Sequence, residues 1–198
     1  MFVAACLAVA SSTVAAHAED APKGDDFTTR MFATTSFDHK TYACFVRRYD
    51  ADHMAHHPQQ KVTAMKLLVT AEKLDDDPTL RLGFRVGVTF RDRRGGFSTS
   101  GDCGHADASE VKDDAIQMQC AVDCDGGGVG VGLAPGDQLV TLKLDQVRIW
   151  RDNGSDDDPP QFLRGGADDK VFRLDRTANA ACASLVPDKD ELAALRRQ

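Results

Sequence analysis

Three histidines follow an aspartate within one short segment, DADHMAHHP. His53 and His57 are spaced i, i+4, so a helix would place both on one face, where two imidazoles can chelate a divalent metal. Asp52 and His56 lie beside this pair and extend the set of candidate ligands. The segment predicts a divalent-metal site at these four residues, although the HExxH pattern of zinc hydrolases is absent. The alternative is a solvated surface helix that ends before Pro58.

The cysteines are the second group that could carry chemistry, and an exported chain would form disulfides from them. Cys44 lies on the first predicted strand and Cys182 just after the last, and these strands are neighbours in an up-and-down barrel. A Cys44–Cys182 disulfide is therefore expected. Cys103 is expected to pair with Cys120 or Cys124 across the acidic segment 107–114, and Cys120 is preferred because strands leaving one loop stay in register near it. Cys124 is then the remaining thiol, expected to be buried on the same apolar face.

Acidic runs occur at residues 75–77, 156–158 and 168–169. The segment DNGSDDD has a calcium-binding composition, but it lacks the ligand spacing and the glycine of an EF-hand loop, which favours a solvated loop. The sequence contains no GxSxG, SxxK or Walker motif. No catalytic residue is predicted, and an enzyme is the less favoured interpretation.

The elements that position these groups are strands. Residues 80–91 read LRLGFRVGVTFR, with apolar side chains at every second position, which is typical of a strand with one buried face. Short turns separate this strand from similar ones, and a change of apolar phase near Asp145 and Gln146 predicts a β-bulge. The eight predicted strands cover residues 41–48, 61–74, 80–92, 97–103, 115–124, 129–133, 138–150 and 171–175.

This pattern predicts an all-β fold, an eight-stranded antiparallel meander that closes into an up-and-down barrel; a two-sheet β-sandwich is the alternative. A short helix is expected near residues 51–57, capped by Asp50, and a C-terminal helix after Asp188, with Leu192 and Leu195 docked on the sheet. In strand number and order the fold resembles calycin-type small barrels such as the lipocalins. Eight strands, export and disulfides without a catalytic motif favour an exported protein that binds a ligand or another protein.

The predicted organisation is a signal peptide at 1–18, a flexible leader at 19–40 with a strand near 30–35, a barrel domain at 41–183 and a C-terminal helix at 184–198. The signal peptide is indicated by an apolar, uncharged start followed by Ala16-His17-Ala18 and an acidic segment. Export to the periplasm or the extracellular space is therefore expected, and no transmembrane span is predicted. The net charge of −7 argues against nucleic acid as a partner.

Three functions remain open. The first is an exported, non-catalytic binding module for an unknown small ligand or envelope protein, with its site at the barrel mouth or in the long segment 151–170. The second is a metal-assisted hydrolase that uses His53 and His57; otherwise no cofactor is expected. The third is a structural, envelope-associated protein, which an interior filled with side chains would favour over the first.

Overall fold

A computed structural model describes residues 26–74, 77–107, 115–155, 158–159 and 161–198. The predicted signal peptide and most of the acidic segment 107–114 lie outside the described residues. The described residues form nine β-strands, three short α-helices and a 3-10 helix. In chain order these are α1 (Asp26–Phe32), β1 (Thr41–Arg48), α2 (Ala51–His56), β2 (Val62–Leu74), β3 (Asp77–Phe90), β4 (Gly96–His105), β5 (Met118–Ala121), β6 (Gly127–Leu133), β7 (Leu139–Arg151), β8 (Gln161–Arg164), β9 (Val171–Thr177), the 3-10 helix (Asn179–Leu185) and α3 (Lys189–Leu195).

The strands build one continuous antiparallel sheet that closes into a ring. Strands β1 to β7 follow one another around the ring, and β9 lies between β7 and β1. The predicted all-β fold with a C-terminal helix is confirmed, and a single sheet replaces the two-sheet alternative. The ninth strand, β8, was not predicted: it lies within the segment expected to be irregular and pairs with β7.

Strand β3 shows the predicted alternation of inward and outward side chains. Its inward residues Leu82, Phe84, Val86 and Val88 are buried, because they pack with inward residues of the other strands. Side chains from all nine strands join a single hydrophobic core. Filling the ring in this way removes apolar surface from water, at roughly 25 cal/mol per Å².

Strand β7 contains the predicted bulge. Its buried positions shift from Leu144 to Val147, with Asp145 and Gln146 exposed between them. The pairing with β6 is interrupted at the same place, since Gly127 and Val129 oppose Val147 and Leu144. The bulge changes which residues of β7 point outward, and Trp150 therefore lies on the outer face.

The N-terminal part of the chain differs from the expectation of a flexible leader with a strand. Residues 26–32 form α1, because Phe27 and Met31 are spaced i, i+4 and share the face that packs on the core. The Arg30 guanidinium donates a hydrogen bond to the Asp137 carboxylate at 2.7 Å, and the Arg176 guanidinium donates one to the Met31 carbonyl oxygen at 3.0 Å. These contacts hold the helix over one end of the ring.

The C-terminal segment covers the outer face of β1 to β3. Cys182 of the 3-10 helix bonds Cys44 of β1, and both lie in a second hydrophobic cluster outside the ring. Asp188 caps α3 by accepting a hydrogen bond from the Glu191 amide at 2.7 Å, and Leu195 is fully buried. The predicted C-terminal helix and its docking are thus confirmed.

Candidate functional site

The predicted histidine helix is present, but its side chains point to separate partners. Asp50 caps α2 by accepting from the His53 amide at 2.8 Å. The His53 ring stacks between the rings of Tyr49 and His57, with centroids 4.6 and 4.4 Å away. Its Nε2 lies 2.9 Å from the Gln60 side-chain oxygen. Stacked imidazoles do not aim their nitrogens at one point, so the i, i+4 pair is used for packing.

The remaining predicted metal ligands are also engaged locally. His56 Nδ1 lies 2.8 Å from the backbone carbonyl oxygen of Asp52, and His57 Nδ1 lies 3.8 Å from an Asp168 carboxylate oxygen. In the part of the chain that the structure describes, no group of three or more His, Cys, Asp or Glu side chains is placed to hold a metal ion. The structure therefore does not bring Asp52, His53, His56 and His57 together as a metal site.

Both expected disulfides are present. Cys44 pairs with Cys182, with Cα atoms 5.9 Å apart, and Cys103 pairs with Cys120, with Cα atoms 4.0 Å apart. Intramolecular disulfides are compatible with an oxidising, exported location. The expectation that Cys124 is buried is wrong: it is an exposed free cysteine. Strand β5 ends at Ala121, and Cys124 lies in the following turn with a positive φ of 57°.

The acidic run at 168–169 has a structural use. Asp169 is 3% exposed, and its carboxylate accepts hydrogen bonds from the backbone amides of Lys61 and Val62 at 2.7 and 3.2 Å. These bonds compensate for its burial and fasten the segment before β9 to the start of β2. Asp156 and Asp157 of the calcium-like run lie outside the described residues.

Because described side chains from all nine strands pack inside the ring, the candidate site is a groove on its outer surface. The groove has a volume of about 550 Å³ and lies over β3, β4 and the end of β7. Strands β4 and β7 pair directly here, with Ser98 opposite Trp150. One wall is the C-terminal segment at Ser184, Leu185 and Pro187, and the opposite wall begins at Trp150. We call it the Trp150 groove.

The groove combines an aromatic surface with a polar floor. Trp150, the single tryptophan of the chain, is 42% exposed on its rim. Ser98 and Ser100 line the floor, and Asp152 fixes the Ser98 hydroxyl by accepting its hydrogen bond at 2.7 Å. A large aromatic left in water beside fixed hydrogen-bonding groups is the kind of surface that binding sites use.

Arg85 lies at the far side of the groove, where it meets the C-terminal helix. Its Nη2 donates to a Glu191 carboxylate oxygen at 2.8 Å, and Lys40 lies 3.1 Å from the other oxygen. Burial would raise the pKa of Glu191, but the hydrogen bonds and charges of Arg85 and Lys40 outweigh burial and hold that pKa below its usual range. Burial, together with the Glu191 charge, raises the pKa of nearby Tyr42 to about 12.

The Arg85 guanidinium keeps one free donor. Its Nη1 is buried and has no hydrogen-bond acceptor among the described residues. A second pocket of about 330 Å³ begins on the other side of Arg85, where Arg81 makes a paired contact with Asp102 at 3.1 Å. Arg81 and Asp102 of that second pocket are thus paired with each other, whereas Arg85, which lines both pockets, keeps its buried Nη1 without an acceptor among the described residues.

Sequence reasoning missed the Trp150 groove, although one signal was available. After the phase change in β7, Val147 and Ile149 point inward, so the alternation itself places Trp150 outside. The contribution of Ser184 and Pro187 could not be found in this way, because their position depends on how the C-terminal segment docks.

Comparisons with family models, with curated proteins and with solved structures found no match to this chain. Function must therefore be argued from the geometry of the chain itself. None of the described helices has the length and apolar character needed to cross a membrane.

Proposed function

We propose that the protein is an exported, non-catalytic binding module whose ligand is a saccharide held in the Trp150 groove. The observation that carries the proposal is the exposure of the single tryptophan beside a floor of hydroxyl groups. A sugar ring offers a flat C–H face for an indole and hydroxyls for polar partners, so it matches both parts of the groove.

The size and chemistry of the groove support this ligand class. Its volume of about 550 Å³ falls in the usual range for ligand sites, roughly 300–1,000 Å³. Asp152 supplies acceptors and Asn153 both donors and acceptors, as a polyol requires. Of the described lining residues only Asp152 carries a carboxylate, whereas glycoside hydrolysis commonly needs a pair. This difference favours binding over catalysis.

Export is part of the proposal. It is supported by the apolar start of the sequence before Ala16-His17-Ala18 and by two disulfides compatible with an oxidising compartment. A mature chain beginning at Glu19 would meet glycans of the cell envelope or its surroundings. The filled ring also favours the alternative of a structural envelope protein without a small ligand.

The experiment uses the chain from Glu19 with both disulfides formed. Neutral and acidic hexasaccharides of defined composition are titrated while Trp150 fluorescence and binding heat are recorded. We expect saturable binding of at least one of them and loss of its binding heat in Trp150→Ala. Leu74→Ala is the matched control, because Leu74 is also a large exposed apolar residue, at 44% exposure, but is not among the residues lining the groove. Failure of every hexasaccharide to bind would contradict the proposal and favour the structural module.

A further inference from the structure

Resting on the saccharide-binding function proposed above, we propose that the ligand is an acidic glycan, whose carboxylates are bound by arginines on either side of Trp150. The outer faces of four neighbouring strands carry this surface, in the order β3, β4, β7 and β8. At the usual spacing between strands they extend across about 14 Å, enough for a short oligosaccharide.

Arg148 and Trp150 lie two positions apart on β7, so both point outward. Phe162 of β8 is directly opposite Arg148. The guanidinium groups of Arg148 and Arg164 lie 5.7 and 5.5 Å from the centre of the Phe162 ring. This contact holds two cations beside an aromatic ring without neutralising either of them. The surface therefore continues the Trp150 groove with a second aromatic ring and two positive charges.

Two arginines of this surface each have a buried guanidinium nitrogen that lacks an acceptor. Arg148 Nε and Arg85 Nη1 are buried and have no hydrogen-bond partner among the described residues. Arg148 lies beside Trp150 along β7, and Arg85 lies across the groove on β3. A guanidinium is matched in shape and charge by a carboxylate, which accepts two of its hydrogen bonds at once. A ligand carboxylate at the accessible part of the Arg148 guanidinium would supply the counter-charge that no described acidic side chain provides.

The charge of this surface is opposite to that of the whole chain. The sequence has a net charge of −7, but Arg85, Arg148 and Arg164 lie around Trp150. Glu191 offsets Arg85 in part, because it accepts from Nη2 and also pairs with Lys40. No described acidic side chain is ion-paired with Arg148 or Arg164. Charge complementarity thus favours an anionic ligand at one place on an otherwise acidic protein.

A carboxylated glycan fits this surface better than a nucleic acid, which aromatic and arginine side chains can also bind. Asp152 lies on the floor of the groove, where its carboxylate can accept hydrogen bonds from the hydroxyls that a glycan carries on every ring and a DNA strand does not. The hydroxyl of Ser98 is already held by Asp152 in a fixed position. The floor is therefore arranged for a polyol, and the arginines beside it would bind the negative charge of an acidic one.

The test compares hexagalacturonate with its fully methyl-esterified form, which has the same skeleton and no charge. We expect the acid to bind about tenfold more tightly than the ester at low salt, the difference one charge-assisted contact gives, and the preference to shrink as salt is raised. Equal or tighter binding of the ester would overturn the acidic-glycan inference and leave the saccharide-binding function intact. Binding of neither, while one of the neutral hexasaccharides binds, would overturn the acidic-glycan inference alone, and failure of all of them would overturn both proposals.

Single substitutions test which arginines contact the carboxylates of the ligand. Arg148→Gln and Arg164→Gln are each expected to weaken binding of the acid by about five- to tenfold and to leave binding of the ester unchanged. Arg173→Gln is the matched control, since Arg173 is an exposed arginine of β9 away from the groove. Arg164 is exposed, so its variant tests the inference even if Arg148→Gln unfolds. An equal loss in the Arg173 variant, or tighter binding of a ten-nucleotide oligothymidylate than of the acid, would overturn it.

Discussion

Removing the Cys44–Cys182 disulfide should destabilise the protein more than removing the Cys103–Cys120 disulfide. The two bonds join residues separated by 138 and 17 positions. In the chain-entropy model, closing loops of these lengths raises the free energy of the unfolded chain by about 5 and about 3 kcal/mol. The expected difference in the free energy of unfolding is therefore about 2 kcal/mol.

The measurement is urea denaturation of Cys44→Ala/Cys182→Ala and Cys103→Ala/Cys120→Ala beside the unchanged protein. Alanine is used because Cys44 and Cys182 are fully buried, where a serine hydroxyl would add a cost of its own. The slope of free energy against urea shows whether all proteins expose the same surface on unfolding. An equal loss in both variants, or a larger loss for the Cys103–Cys120 pair, would refute the loop-length reasoning.

Three further predictions concern other parts of the molecule. The pKa of Glu191 is lowered in the folded state, so its stabilising contribution is present above the ordinary glutamate pKa and is lost as the pH falls through the lowered value. Amide hydrogen exchange in α3 should therefore accelerate over that pH interval, and it should accelerate less in Glu191→Gln. A persisting pH effect in that variant would contradict the assignment. Gly101→Ala should cost about 1–3 kcal/mol because its Cβ would collide with the Ala121 carbonyl oxygen, whereas Gly104→Ala, where the Cβ meets nothing within 4 Å, should be close to neutral in thermal unfolding. The folded chain from Glu19 should react with one equivalent of a thiol reagent, and Cys124→Ser with none; an unreactive folded protein would mean that Cys124 is buried after all.

The fold was largely predictable because its strands carry strong local patterns. Strand β1 has the predicted bounds, and the phase change in β7 identified a bulge before any pairing was known. The two disulfides followed from topology, since neighbouring strands bring their cysteines close. Such inferences succeed in strands because successive side chains face opposite sides of the sheet, so the positions of the apolar residues identify the buried side.

The elements that were missed are short or depend on distant contacts. Helix α1 has seven residues and β8 has four, too few for a period to stand out. Cys124 continues the apolar phase of its strand in sequence, yet the strand ends before it at a turn with two successive positive φ angles. The Trp150 groove is assembled from residues of β3, β4, β7 and the C-terminal segment, and sequence alone does not reveal that association.

The seam between β1 and β9 has a consequence for how the chain folds. Cys44 of β1 is paired opposite Thr177 of β9, so the ring can close only after nearly the whole sequence is present. Contacts of such high sequence separation slow folding, since loop closure must be completed before they form. The hairpins from β1 to β4 join consecutive segments and can form much earlier. We therefore expect the pairing of β1 with β9 to be the last part of the sheet to form.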